Sequence, residues 1–425
     1  MGKKINPGLI VIAVFIAVLA LAYLTWINRP LSSEADDYYG ANWSLVVELD
    51  IGIHMLPFEL WIFETADDVW AAQISYSEEQ RSDVLPIVKR DDSIQIFFDH
   101  YDSDLMLEGD MWQSGMTGRW SKYRGENELA VIDARARPNV SLGRFNEVQE
   151  LSVDFEGRWL VNFASSESSA IGVFEVNENQ IASGTFMTTT GDYRYLAGRV
   201  DGNLMRLSTF DGAHAFLFHA RMQDDGTIEG DFWSGNWWHE TWTAVRDDNA
   251  ALPDAFEQTV VADEDALDDM VFKNLQGEPT RVLDVLDESN APARIIEIFG
   301  TWCPNCSDAG RELVSLREQY GDDLAVVGLA FEVTEDFDRS VQQVKHHHEH
   351  IGTDWPILIA GLSDKEKASQ SLPVLDKVRS YPTLIFLDRN NEVKGVYSGF
   401  SGPATGDAYT KQRERFEALI ESMID

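Results

Sequence analysis

Cysteine is almost missing from this 425-residue sequence: there are two, Cys303 and Cys306, three positions apart. A secreted protein stapled by disulfides carries more of them, scattered along the chain, so a disulfide framework is excluded. One adjacent pair points instead to a single redox or metal site. Zinc would need two further ligands, and no second CxxC supplies them. Basic residues are scarce too, with 34 Lys and Arg against 72 Asp and Glu and a net charge of −38. Such a surface repels nucleic acid and anionic lipid, so neither is an expected partner, and solubility is the simplest use of the charge. Composition is otherwise ordinary for a globular protein, and the length calls for two or three domains.

One long uncharged run stands near the start. Leu9–Ile27 (LIVIAVFIAVLALAYLTWI) is nineteen residues without a charge, enough for a helix to span the hydrocarbon core of a bilayer. Lys3 and Lys4 precede it, and Tyr23 and Trp26 sit near its far end as interfacial anchors. The expectation is a single-pass membrane protein: residues 1–28 as transmembrane anchor with a short cytoplasmic N-terminus, 29–45 as a polar tether, and the rest extracytoplasmic, on the periplasmic side. A cleaved signal peptide fits less well, because Ala20-Leu21-Ala22 lies inside the apolar run.

Residues 46–246 read as strand after strand. Apolar–polar alternation recurs in SLVVELDI, SIQIFFDHY, GRWLVNFA and RVDGNLMRLSTF, separated by turn signals such as Thr190-Gly191-Asp192 and Asp224-Asp225-Gly226. This predicts one antiparallel all-β domain, a barrel or a sandwich. Trp233, Trp237, Trp238, Trp242 and His239 make its end aromatic, read as barrel core and rim ahead of a ligand-binding platform. Residues 247–269 hold nine Asp or Glu and no Lys or Arg, the pattern of a solvated linker. From Met270 to Asp425 the grammar changes to buried strands alternating with amphipathic helices, which is α/β with a mixed sheet.

The chemistry concentrates in Trp302-Cys303-Pro304-Asn305-Cys306, which follows the buried strand RIIEIF and opens a helix. A cysteine there meets the positive end of the macrodipole and several free N–H groups, which favours its thiolate. Two intervening residues allow a small disulfide ring that opens and closes without rearranging the fold. Cys303 is therefore the expected nucleophile and Cys306 the resolving thiol.

At these residues the chain resembles the thioredoxin superfamily, and within it the TlpA-like membrane-tethered thiol:disulfide oxidoreductases, over roughly 270–425. The second point of resemblance is Ser380-Tyr381-Pro382-Thr383, followed by the strand LIFLD. The resemblance implies that Pro382 is cis and faces Cys303, with Trp302, Tyr381 and Pro382 contacting substrate. Glu297, six residues before Cys303, matches the position of a buried acid in the superfamily and is expected to accept the proton of Cys306. The sequence departs from the TlpA-like pattern at Ala309 and Arg311, where a Glu and a helix-kinking Pro are common. The resemblance implies reduction of extracytoplasmic protein disulfides, electrons from a membrane thiol donor, and no cofactor. An oxidant or isomerase, or an envelope binding module with an accessory thioredoxin-like domain, are the alternatives. His346-His347-His348-Glu349-His350 reads as a solvated helix face rather than a metal site.

Overall fold

In this computed structural model the described residues are 43–424, apart from 66–68, 77–79, 91, 111–113, 126–127, 139–143 and 146–152. The expected anchor at Leu9–Ile27 lies outside them. Among the described residues no helix is long and apolar enough to cross a membrane. Against the expectation of a single-pass membrane protein, none of the described helices supplies a span.

Where one β domain was expected, there are two closed antiparallel barrels. The first consists of β1 (Trp43–Asp50), β2 (Met55–Glu64), β3 (Trp70–Ser75), β4 (Leu85–Arg90) and β5 (Ser93–Phe98). It continues through β6 (Ser103–Asp110), β7 (Gly115–Tyr123) and β8 (Leu129–Pro138). Alternation sets the inward face: in β5 Ile94, Ile96 and Phe98 are buried while their neighbours are half-exposed. Closure comes from β1 pairing with β8, Leu45 opposite Pro138 and Leu49 opposite Ala134, which leaves no open edge.

The second barrel begins with β9 (Gly157–Phe163), β10 (Ala170–Val176), β11 (Ile181–Thr188) and the two-residue β12 (Gly191–Asp192). Then follow β13 (Leu196–Asp201), β14 (Leu204–Phe210), β15 (Ala215–Met222), β16 (Ile228–Ser234) and β17 (Trp238–Arg246). β9 pairs with both β10 and β17, and β10 also pairs with β11, so the ring closes with β12 as an appendage. Its core is aromatic, with Phe186 stacked on Phe218 at 4.5 Å and Trp242 edge-on to Phe186 at 5.2 Å.

The barrels share packing. The β14–β15 hairpin tip enters the end of the first barrel, where Phe210 stacks on Phe58 at 4.3 Å and meets Phe98 and Trp120 edge-on. A Cβ at Gly212 in this tip would overlap Phe98. The Trp-rich stretch is divided accordingly. Trp242 is inside the second barrel, Trp233 and Trp237 pack with the core of the first, and Trp238 is 47% exposed.

Residues 247–269 are not free of packing. α1 (Ala255–Gln258), capped by Asp254, brings Phe256 edge-on to Tyr397 at 4.9 Å, and Leu267 is buried in the C-terminal core. That core surrounds a seven-stranded mixed sheet. Its first elements are β18 (Val271–Lys273), β19 (Pro279–Arg281), α2 (Val282–Asp287), β20 (Ala293–Phe299) and α3 (Pro304–Tyr320). β21 (Leu324–Glu332), α4 (Phe337–Ile351), β22 (Ile357–Leu362) and α5 (Lys365–Ser371) follow, then β23 (Thr383–Asp388), β24 (Val393–Ser398) and α6 (Asp407–Ile424). The order is β19-β18-β22-β21-β20-β23-β24, with β20, β21 and β22 parallel and β23 antiparallel to β20. β20 and β21 are buried at every position, as strands central in a covered sheet must be.

Candidate functional site

β20 ends at Phe299, and the chain turns through Gly300-Thr301-Trp302 before α3. Cys303 is the N-cap of that helix, with Pro304 in the first turn, where a missing N–H costs nothing. The Cys303 sulfur accepts from the backbone N–H of Cys306 at 3.2 Å, so the pair is held together by the cap itself. Both cysteines are free thiols, Cys303 6% exposed and Cys306 fully buried. Burial, aided by the neighbouring Cys303, pushes the Cys306 thiol well above its ordinary range.

The cis peptide bond Tyr381–Pro382 lies opposite. The Cys303 thiol donates to the Tyr381 carbonyl at 3.5 Å, and the Gly399 N–H donates to the Pro382 carbonyl at 3.0 Å. Cys303, Tyr381–Pro382 and Gly399 therefore share one face. Trp302 is half-buried, its ring edge-on to Tyr381 at 5.6 Å and its N–H given to the Phe331 carbonyl at 2.9 Å. Glu297 sits on β20 between Gly328 of β21 and Leu384 of β23. It is 2% exposed, one carboxyl oxygen has no hydrogen-bond partner, and burial raises its pKa to about 8. Trp302, Cys303, Tyr381 and Pro382 thus meet at one end of the central strands, and Glu297 lies on β20 close enough to Cys306 for its charge to help raise that thiol's pKa.

Several residues here were not singled out from the sequence. Glu332, at the end of β21, accepts from the Thr301 N–H at 3.0 Å and the Thr301 hydroxyl at 2.7 Å. Burial lifts its pKa to about 7. A carboxylate closing the apolar run LAVVGLAFE was the available clue. The others come from the barrels. Tyr101 donates to the Ser307 hydroxyl at 3.2 Å. Arg194 pairs with Asp308 of α3 through two nitrogens and with Asp211 of the hairpin tip at 3.5 Å. Asp192 accepts from the Gly402 N–H at 2.6 Å, and its carbonyl receives the Asn305 amide at 3.4 Å. Arg311, where TlpA-like proteins commonly carry Pro, reaches Asp83 of the first barrel and lies 3.1 Å from His350.

The histidine run lies against protein rather than in solvent. His347 is buried, and His350 stacks on His100 of the first barrel at 3.6 Å. Among the described residues no group of three or more His, Cys, Asp or Glu is arranged to hold a metal ion.

No family model matches the chain. It is 28% identical over 131 residues to the thioredoxin-like protein YneN of Bacillus subtilis (strain 168), a match spanning 31% of this chain and 68% of that protein. A thiol:disulfide interchange protein of the thioredoxin family from Chlorobium tepidum TLS is 17% identical, covering 36% of this chain and 92% of its own, with a TM-score of 0.27. A secreted Mycobacterium tuberculosis disulfide oxidoreductase homologous to E. coli DsbE is 13% identical over 38% of this chain and 99% of its own, TM-score 0.27.

Proposed function

We propose that this chain, whose C-terminal domain is thioredoxin-like, reduces disulfides through Cys303 and Cys306. The observation that carries this reading is the pair itself: two free thiols at the start of α3, with Cys303 facing the Tyr381 carbonyl. The thiolate of Cys303 attacks a substrate disulfide, forming a mixed disulfide and releasing one substrate thiol. Cys306 then attacks the Cys303 sulfur, expelling the second substrate thiol and leaving a Cys303–Cys306 disulfide. Two electrons pass to the substrate, and an external dithiol donor returns them. Glu297 takes the proton from Cys306 as it attacks, a task suited to a buried carboxyl whose pKa lies near neutrality. The Tyr381–Pro382 segment offers backbone beside Cys303, and Trp302 forms the adjoining wall.

The test is electron transfer to a small disulfide. The reduced chain, mixed with oxidised glutathione, should yield two glutathione thiols and one intramolecular disulfide per chain. Absence of that exchange would overturn the reading. A redox titration in glutathione buffers then separates a reductant from an oxidant or isomerase.

A further inference from the structure

The segment Thr189–Tyr195 of the second barrel runs over the face that holds the two cysteines. Three glycines make that approach possible. A Cβ on Gly191 would overlap the amide of Asn305, the residue between the cysteines. One on Gly399 would come within 2.7 Å of the Thr189 carbonyl, and one on Gly402 within 2.6 Å of the Asp192 carboxylate. Asp192, itself 6% exposed, ties the segment to Gly402 and Asn305. Arg194, held at a positive φ of 65°, clamps it to Asp308, two residues past Cys306. The Gly399 N–H bonds the Pro382 carbonyl and Cys303 bonds the Tyr381 carbonyl. The strap thus lies along the surface on which a peptide would have to rest to bring its disulfide to Cys303.

We infer that Asp192 and Arg194 determine substrate class: with the strap docked, the dithiol serves low-molecular-weight disulfides, and protein disulfides react only from a form in which the strap has lifted. This rests on the reductase reading above and adds the substrate class to it. Cys303, only 6% exposed as a residue, offers an approach that suits a slim disulfide better than one embedded in a bulky chain. The rate on a protein substrate then scales with the fraction of molecules whose strap is open.

The experiment compares oxidised glutathione and insulin as substrates of the whole chain. Arg194→Ala removes the clamp on Asp308, and Gly191→Ala, strained at a φ of 153° and crowding the Asn305 side chain, loosens the strap without stripping buried carboxylates of their partner. In each folded variant the ratio of insulin rate to glutathione rate should rise at least about fivefold, with the glutathione rate held within about twofold. An unchanged ratio in a folded variant would overturn the inference. The native chain supplies a second measurement that needs no variant. N-ethylmaleimide should label Cys303 at least about tenfold faster than the same maleimide carried on a long polymer, because only the smaller reagent passes a docked strap. Equal labelling rates would also overturn it. If the native chain exchanges with neither substrate, the reductase reading fails; if it reduces oxidised glutathione and insulin with no change in the variants, only the strap's role fails.

Discussion

The Cys303 thiol lies 3.5 Å from the carbonyl oxygen of Tyr381, the residue preceding the cis Pro382. The two residues arrive from strands that neighbour each other in the sheet, β20 and β23, with Ile298 paired to Thr383. That pairing brings the cysteine-bearing helix start and the proline turn to the same end. In the reductase proposed above, that carbonyl is the backbone an extended substrate segment would meet beside Cys303 once the strap has lifted.

Glu297 gives a pH signature. Its carboxyl holds a proton more tightly folded, at about 8, than unfolded, at 4.5. Stability from this group is therefore present at low pH and lost as pH rises through that window. Glu297→Gln, which cannot ionise, should match the native melting temperature near about pH 5 and exceed it near about pH 9. In the native chain, release of the second glutathione thiol should accelerate up to about pH 8. The variant should lose that rise and at least about tenfold in rate at neutral pH. A pH–rate profile indifferent to the substitution would remove Glu297 from the mechanism.

Glu332 should matter through Thr301. Glu332→Ala leaves the buried Thr301 N–H without its acceptor, at a cost of about 1–3 kcal/mol. Because Thr301 is two residues from Cys303, alkylation of Cys303 should change along with the melting temperature. Glu332→Gln keeps an acceptor and should recover most of both. Equal loss in the two variants would show that the charge, not the hydrogen bond, is what counts.

The docking of the C-terminal domain on the first barrel is also testable. Arg311 meets Asp83, His350 lies 3.4 Å from the same carboxylate, and both bonds hold the Asp83 pKa well below the usual carboxylate range. Asp83→Asn should loosen this contact and raise amide hydrogen exchange across α4 and the Asp99–Tyr101 turn, while β23 and β24 stay protected. We propose further that residues from Ala251 onward fold by themselves, since Phe256 and Leu267 belong to the C-terminal core. That shorter chain should melt cooperatively and, lacking the strap, reduce insulin faster than the whole protein.

Much of this was legible locally. Period-two alternation in SIQIFF announced β5, and continuous burial in RIIEIF and LAVVGLAF announced the two central parallel strands. Cys303 at a strand-to-helix junction followed from the same reading. What no local pattern carried was long-range pairing. Leu45 meets Pro138 and Phe163 meets Trp242, so two barrels close where alternation alone described a single run of strands. The signal Thr190-Gly191-Asp192 read as a plain turn, because Asn305 and Gly402 lie more than a hundred residues away. The histidine run read as solvated for the same reason: His100, which stacks on His350, belongs to another domain.

The central claim is that Cys303 attacks and Cys306 resolves, and intact-mass measurement after exposure to oxidised glutathione tests it most directly. Cys306→Ser should accumulate a single glutathione adduct on Cys303, because nothing remains to expel it. Cys303→Ser should stay unmodified, its remaining thiol fully buried and its thiolate disfavoured by that burial. Adducts on both variants at similar rates, or on Cys303→Ser alone, would contradict the assignment.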